Sequence, residues 1–306
     1  MMYKRLIAIF VATFILSLCP STYARMTGPD LMSFRVTLST GIDMHFVAKG
    51  PRHRKKKAII LLHGYSDSWR SFDEILKLLP IKEFPAPVYA IDMRGHGESS
   101  RSEPSSYTQD NFTDDLAAFM DKLKIRKAMI IGHSMGSLIA HKFAIEHPNR
   151  VLALVLLGST TTMANHPVVL ELKPIIDSFD DDEPADPEFV IEFQASTFYN
   201  PIPWVTYRYV SESLRLKGIV WKQTLDGLNV EDHSSQLPQI TAPTLIVWGD
   251  KDGVFSLEEQ NELDTLIPDS TLVIYPDAGH AVNVERAEEI VEDIKEFVEN
   301  QLGKLD

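Results

Sequence analysis

Three stretches of the 306-residue chain carry side chains that could do chemistry together. Gly132-His133-Ser134-Met135-Gly136 sets a serine between two glycines. Small flanks let the backbone turn sharply and expose the hydroxyl as a nucleophile. A serine hydroxyl attacks only when a base removes its proton. Of ten histidines, His280 in Asp277-Ala278-Gly279-His280 is the candidate base, while His63, His96 and His133 lie in turn motifs and are assigned structural roles. The imidazole in turn needs an acid to hold its tautomer and stabilise its protonated form. Trp248-Gly249-Asp250-Lys251-Asp252-Gly253 offers two, and either could also cap a turn. Asp252 is preferred. Asp250 directly follows Gly249 and shapes the turn, whereas Gly253 frees the backbone beside Asp252 to project toward His280. The chemistry these types support is two-step acyl transfer from an ester or lactone, with no metal and no organic cofactor.

Such side chains must be presented by rigid elements. Short apolar runs without alternation occur at Ala58–Leu62, Val88–Ile91, Ala128–Ile131 and Val151–Leu157, with later strands at Thr244–Trp248 and Thr271–Tyr275. Runs of this kind suit strands buried on both faces of a parallel sheet. Helical spacing places Phe112, Leu116, Phe119, Met120 and Leu123 on one face, and Leu138, Ile139, Phe143 and Ala144 on another. Ile290, Val291, Ile294, Phe297 and Val298 mark a last amphipathic helix. The serine follows the Ala128–Ile131 strand and precedes a helix expected from Ser137. His280 follows the Thr271–Tyr275 strand, and both candidate acids follow Thr244–Trp248. All three groups therefore fall at strand ends.

Phe34–Leu38 and Met44–Val47 flank Ser39-Thr40-Gly41 and predict an N-terminal β-hairpin. The alternation breaks over residues 159–237, an aromatic and acidic segment too long for a plain connection. It is expected to be an inserted, largely helical cap. Its Asp180-Asp181-Asp182-Glu183 run is read as a solvated loop. The expected class is thus α/β: a mostly parallel sheet with an N-terminal hairpin, a core of residues 25–158 and 238–306, and a cap of residues 159–237.

Thirty Lys and Arg against 43 Asp and Glu give a net charge of −13, which opposes non-specific nucleic-acid binding. One cysteine excludes an internal disulfide framework and a Cys-rich metal site. Lys4-Arg5, the apolar run Leu6–Leu18 and the small-x-small ending Thr22-Tyr23-Ala24 form a secretory signal of residues 1–24. The apolar run is short for a membrane span, which needs roughly 20 residues. Cys19 also makes a lipidated N-terminus an alternative, disfavoured by Leu18 where a small residue is wanted. The expectation is a secreted or periplasmic protein with no stable membrane span after cleavage.

Leu61-Leu62-His63-Gly64-Tyr65, Asp92-Met93-Arg94-Gly95-His96-Gly97-Glu98-Ser99, Gly132–Gly136, Gly249–Asp252 and Gly279-His280 together resemble the α/β-hydrolase fold. More narrowly, they resemble its lid-bearing esterase, haloperoxidase-like and enol-lactonase group. The resemblance runs from about Phe34 to Leu302 and is weakest in the cap. The chain order Ser134, Asp252, His280 is the family's order. The resemblance implies that Asp252 is the triad acid and that the backbone N–H groups of Tyr65 and Met135 form the oxyanion hole. It also implies that Asp92–Ser99 is a structural turn. Ser137 stands where many relatives have a second glycine.

The implied substrate is a small, apolar ester or lactone. A perhydrolase or carbon–carbon hydrolase would use the same triad, and a ligand receptor on this fold would keep it silent. Relatives that use an aspartate nucleophile, the haloalkane dehalogenases and epoxide hydrolases, are opposed by Ser134. Oligomeric state is left open. Export predicts Arg25 as the mature N-terminus, read by intact mass on protein from the periplasm or medium. Membrane-bound protein retaining residues 1–24 would overturn it.

Overall fold

The computed structural model describes residues 25–26, 31–50, 56–79, 86–102 and 106–302. The expected leader, with Cys19, lies outside the described residues. Among those described, one sheet holds nine strands: β1 Arg25–Met26, β2 Leu31–Thr37, β3 Asp43–Lys49, β4 Lys57–Leu62, β5 Val88–Ile91, β6 Lys127–His133, β7 Val151–Leu157, β8 Thr244–Gly249 and β9 Ser270–Tyr275. Their spatial order is β1-β2-β3-β5-β4-β6-β7-β8-β9. The first three pair antiparallel, β3 joins β5 antiparallel, and β5 to β9 run parallel. The hairpin expected from the sequence is the β2–β3 pair, with Phe34 opposite Phe46.

Ten helices occur among the described residues, eight between strands and two after β9. They are α1 Asp73–Leu78, α2 Gln109–Lys122, α3 Met135–Glu146, α4 Pro167–Ile176, α5 Pro187–Ser196, α6 Pro203–Ser213, α7 Gly218–Val230, α8 Leu257–Leu266, α9 Val282–Glu285 and α10 Ala287–Leu302. Strand side chains split alternately between two apolar layers. Ala58, Ile60 and Leu62 of β4 and Ile130 of β6 pack with Phe112 and Phe119 of α2 and Phe143 of α3. Ile59 and Leu61 of β4 and Ile131 of β6 pack with Ile75 of α1 and Ile290 and Ile294 of α10. Both faces are covered, so the strands read as unbroken apolar runs.

The strand order fixes where a ligand can bind. From β4 the chain steps outward to β5, then crosses back to β6 on the other side of β4 and continues outward to β9. Winding therefore reverses between β4 and β6, and open α/β sheets bind ligands outside the carboxyl ends at such a point. The residues leaving those two ends are His63-Gly64-Tyr65 and Ser134.

Four helices, α4 to α7, lie between β7 and β8, and their buried Val169, Val190, Val220 and Trp221 belong to the same apolar layer as α2 and α3. The Asp92–Ser99 stretch is a structural turn. Asp92 accepts the Trp69 and Glu98 N–H groups at 2.7 and 2.9 Å, and Arg94 forks onto buried Asp115 at 2.7 and 2.8 Å.

Close approach of α3 to β4 demands a glycine. A Cβ on Gly136 would stand 2.1 Å from the Leu62 carbonyl oxygen and 2.7 Å from that of His63. Because strand backbone cannot yield as a side-chain tip can, Gly136→Ala is expected to cost about 3 kcal/mol. Thermal melting checks this, and an unchanged midpoint would show that the helix has room to move.

Candidate active site

Helix α3 begins at Met135, two residues earlier than the sequence spacing suggested, so the strand-to-helix turn is made at Ser134 alone. Its backbone takes φ 50° and ψ −119°. A non-glycine residue held in such a region stores about 1–3 kcal/mol. The surroundings determine it. The Ser134 N–H donates to the Leu157 carbonyl at 3.0 Å, and the Ser134 carbonyl accepts from the Ser137 N–H at 2.8 Å and its hydroxyl at 2.5 Å. Ser137 thus fastens the turn where a glycine could not. Its hydroxyl also lies 2.7 Å from that of Ser159, which is 3.2 Å from His141 Nε2.

His280 sits on the loop between β9 and α9. Its Nδ1 is 2.9 Å from Asp252 Oδ2. A carboxylate only accepts, so Nδ1 carries the proton and Nε2 is left as the basic nitrogen. The Asp252 side chain is fully buried. Its other oxygen accepts the Val254 and Phe255 N–H groups at 2.7 and 3.1 Å, which fixes the carboxylate plane. The Phe255 ring meets the imidazole edge-on, 5.2 Å between centroids. Asp250 instead faces outward. It accepts the Asp277 N–H at 2.7 Å, and the Lys251 ammonium at 2.9 Å holds its pKa below the ordinary value.

Ser134 and His280 line one pocket with Gly64, Tyr65 and Met135, under α4, α5 and α7. Apolar side chains dominate its wall, among them Leu138, Met163, Val169, Phe193 and Leu225. Among the described residues, the Ser134 hydroxyl has no hydrogen-bond partner, and neither the Tyr65 nor the Met135 N–H has an intramolecular acceptor. The Met135 N–H is the first of helix α3, where the dipole favours negative charge. The Tyr65 side chain turns toward α5 and α7: its hydroxyl donates to the Trp221 carbonyl at 2.7 Å, and its ring meets Phe193 and Trp221 edge-on.

The three histidines assigned structural roles are tied to backbone. His63 Nδ1 is 2.8 Å from the Gly64 carbonyl and its Nε2 accepts from the Met93 N–H at 3.0 Å. His96 Nδ1 is 2.9 Å from the Arg94 carbonyl. His133 Nε2 is 3.0 Å from the His280 carbonyl, and burial lowers the pKa of His133 to about 3. Of the aromatics in residues 159–237, Trp221 is fully buried, while Trp204 and Tyr207 are exposed. Sequence reasoning missed Asp67, a buried carboxyl in this pocket. No spacing rule marks it, since its place follows from the loop after β4. No group of three or more His, Cys, Asp or Glu side chains among the described residues is placed to hold a metal ion.

Residues 57–287 match the model of the alpha/beta hydrolase fold family, and the chain belongs to that family. It is 29% identical over 280 residues to a Bacillus subtilis (strain 168) protein provisionally named 2-succinyl-6-hydroxy-2,4-cyclohexadiene-1-carboxylate synthase, covering 86% of this chain and 97% of that one. It superposes with a TM-score of 0.76 on a thermophilic esterase from Thermogutta terrifontis, at 25% identity over 87% of this chain and 97% of the other. An esterase from Exiguobacterium antarcticum gives the same TM-score at 22% identity, over 87% and 98%, and shows the shared fold.

The two acids of the Gly249–Gly253 turn make opposite predictions. On any substrate the chain turns over, Asp252→Asn should lower kcat by about 10⁴, as loss of the orienting carboxylate does in the best-studied triad. KM should change far less. Asp250→Asn removes only a surface loop contact and should keep kcat within about threefold of wild type, because it does not touch the imidazole. Steady-state rates for both variants decide, and the reverse pattern would overturn the assignment.

Proposed function

We propose that the protein is a serine hydrolase that cleaves a carboxylic ester or lactone of a small, apolar-bodied substrate through an acyl-enzyme. The observation that carries this reading is Ser134, held at positive φ at the sheet's switch point and sharing a pocket with an imidazole oriented by Asp252. Membership in the family supports a hydrolase, and the likeness to the Thermogutta terrifontis esterase supports an ester. With the leader removed, the reaction would run outside the cytoplasm.

In this mechanism Ser134 Oγ attacks the carbonyl carbon while His280 Nε2 takes its proton. The carbonyl oxygen becomes an oxyanion held by the N–H groups of Tyr65 and Met135. One such donor is worth about 3–4 kcal/mol at the transition state. The tetrahedral species collapses, the C–O bond to the leaving alcohol breaks, and the imidazolium returns its proton to that oxygen. Water then enters, gives a proton to His280 and attacks the acyl carbon. Collapse releases the acid and restores the Ser134 hydroxyl. No cofactor takes part.

A second reading, in which the same residues act on a carbon–carbon bond or another non-ester substrate, has one point in its favour. The Bacillus subtilis relative carries a synthase name.

Both readings need the Ser134 oxygen, and a substrate panel separates them. Turnover of p-nitrophenyl esters of graded acyl length is expected, and Ser134→Ala should abolish it with little change in melting temperature. A serine-directed phosphonate should add its mass at Ser134. Wild-type rates in the alanine variant, or labelling elsewhere, would sink the reading. Inertness toward esters and lactones with intact labelling would favour the second.

A further inference from the structure

The mechanism uses one buried aspartate, and the pocket holds another. Asp67 lies on the loop after β4, its N–H bonded to the Gly64 carbonyl at 3.3 Å. It is 6% exposed and lines the pocket with Ser134 and His280. The position a Cβ would take on Gly64 stands 3.0 Å from His133 Nδ1, 3.1 Å from Asp67 Oδ2 and 3.4 Å from Ser134 Cβ. One glycine thus separates this carboxyl from the proposed nucleophile.

Asp67 is poorly compensated. Among the described residues no lysine or arginine lies within 4.0 Å of it. The nearest basic group is His133 Nδ1 at 4.0 Å, on a ring that burial keeps neutral. Gln194 of α5 reaches Asp67 Oδ1 at 3.4 Å, but the same amide nitrogen serves Ser213 at 2.8 Å and Ser66 at 3.2 Å. Two hydrogens cannot satisfy three acceptors. His133 Nδ1 is itself unpartnered. Its Nε2 must carry the ring proton to reach the His280 carbonyl, so a lone pair, not a donor, is turned toward Asp67. A desolvated carboxyl without a cation is costly to fold around, and sites of function are where such groups persist.

We propose that Asp67 is the specificity carboxyl of the pocket: it binds a hydrogen-bond donor on the substrate, a hydroxyl or a protonated amine, and rejects a substrate carboxylate. This rests on the ester-hydrolase reading. A carboxylate accepts from O–H and N–H⁺ alike, and like charge opposes an acid placed against it. Glu171, Gln194, Ser196, Thr197 and Tyr209 also line the pocket, but Glu171 is exposed and apolar side chains make up most of the wall, so Asp67 is the buried carboxyl placed to orient a substrate there. Burial raises the Asp67 pKa to about 7, opposed by Gln194 and His280. Other groups facing it are His133 at the end of β6, Arg208, Tyr209 and Glu212 of α6, and Arg70 on the turn after β4, with Glu212 engaged by Arg70 at 3.3 Å. The carboxyl therefore gains charge across the neutral range.

The test uses esters that differ at one terminus only: methyl, hydroxyl, protonated dimethylamino or carboxylate. One series carries the terminus on the acyl part and another on the alcohol part. In at least one series, wild-type kcat/KM should favour the hydroxyl or ammonium ester over the carboxylate ester by about tenfold or more, chiefly through KM. A factor of ten is what about 1.4 kcal/mol of differential binding gives. A hydroxyl-only or an ammonium-only preference identifies which donor the natural substrate carries.

Asp67→Asn should bring the ratios within about threefold of one another, since the charge is gone while the shape stays. In wild type alone, the ammonium-to-methyl ratio should rise between about pH 5.5 and about pH 8, and the carboxylate-to-methyl ratio should fall. Any pH dependence of a chemical step common to the compared esters cancels in both ratios. The folded-state pKa is raised, so the stability linked to Asp67 is full at low pH and lost as pH rises through about 7. Asp67→Asn should therefore melt no lower than wild type at alkaline pH, which separates specificity from misfolding. Flat ratios in both series, or ratios that Asp67→Asn and pH leave unmoved, would overturn the proposal. Failure of the wild type on the methyl esters themselves, without phosphonate labelling, would strike the hydrolase reading instead.

Discussion

At Ser134 the backbone adopts a conformation that side chains avoid, and the neighbouring strand and helix hold it there. Gly132 and Gly136 let the two legs of the turn close: a Cβ on either would lie within 2.4 Å of backbone oxygen. The Leu157 carbonyl of the adjacent strand anchors the N–H, and Ser137 anchors the carbonyl from within the helix. Strain of about 1–3 kcal/mol is affordable only inside a sheet buried on both faces. The unbroken apolar strands and the outward hydroxyl are thus two ends of one arrangement.

The second dependence is topological. Because winding reverses between β4 and β6, the loop after β4 and the elbow after β6 lie side by side. That adjacency puts Tyr65 and Met135 in the wall of one pocket, although seventy positions separate them in sequence. His280 and Asp252 arrive from the far side, on the loops after β9 and β8, and meet at 2.9 Å. A chain that did not cross over would carry the same motifs without assembling them.

Much of this was legible beforehand. The six parallel strands, the hairpin and helices α2, α3 and α10 follow from runs and periodicities that burial on two faces or one imposes. Helices α1 and α8 were not anticipated. Each is short, with few buried apolar positions: Ile75 and Leu76 in one, Leu263 in the other. The start of α3 was placed late because Met135 and Gly136 read as part of the glycine-bracketed turn. Within the site, the pairing of His280 with Asp252 over Asp250 was visible in the order of residues along a loop. Asp67 was not. A lone aspartate in a polar stretch looks solvated, and only the folding of α5 and α6 over it removes the water.

The bonds between residues 159–237 and the rest of the fold bear on how it can be altered. The Tyr65 hydroxyl is tied to the Trp221 carbonyl at 2.7 Å, and the N–H of Ala281, next to His280, to the Thr197 carbonyl at 2.8 Å. Tyr65 and the residue next to His280 are therefore both fastened to residues 159–237. That segment is not an interchangeable module. A transplant from another member would have to bring carbonyl groups to the same two points, or the loops that carry Tyr65 and His280 would lose these two bonds.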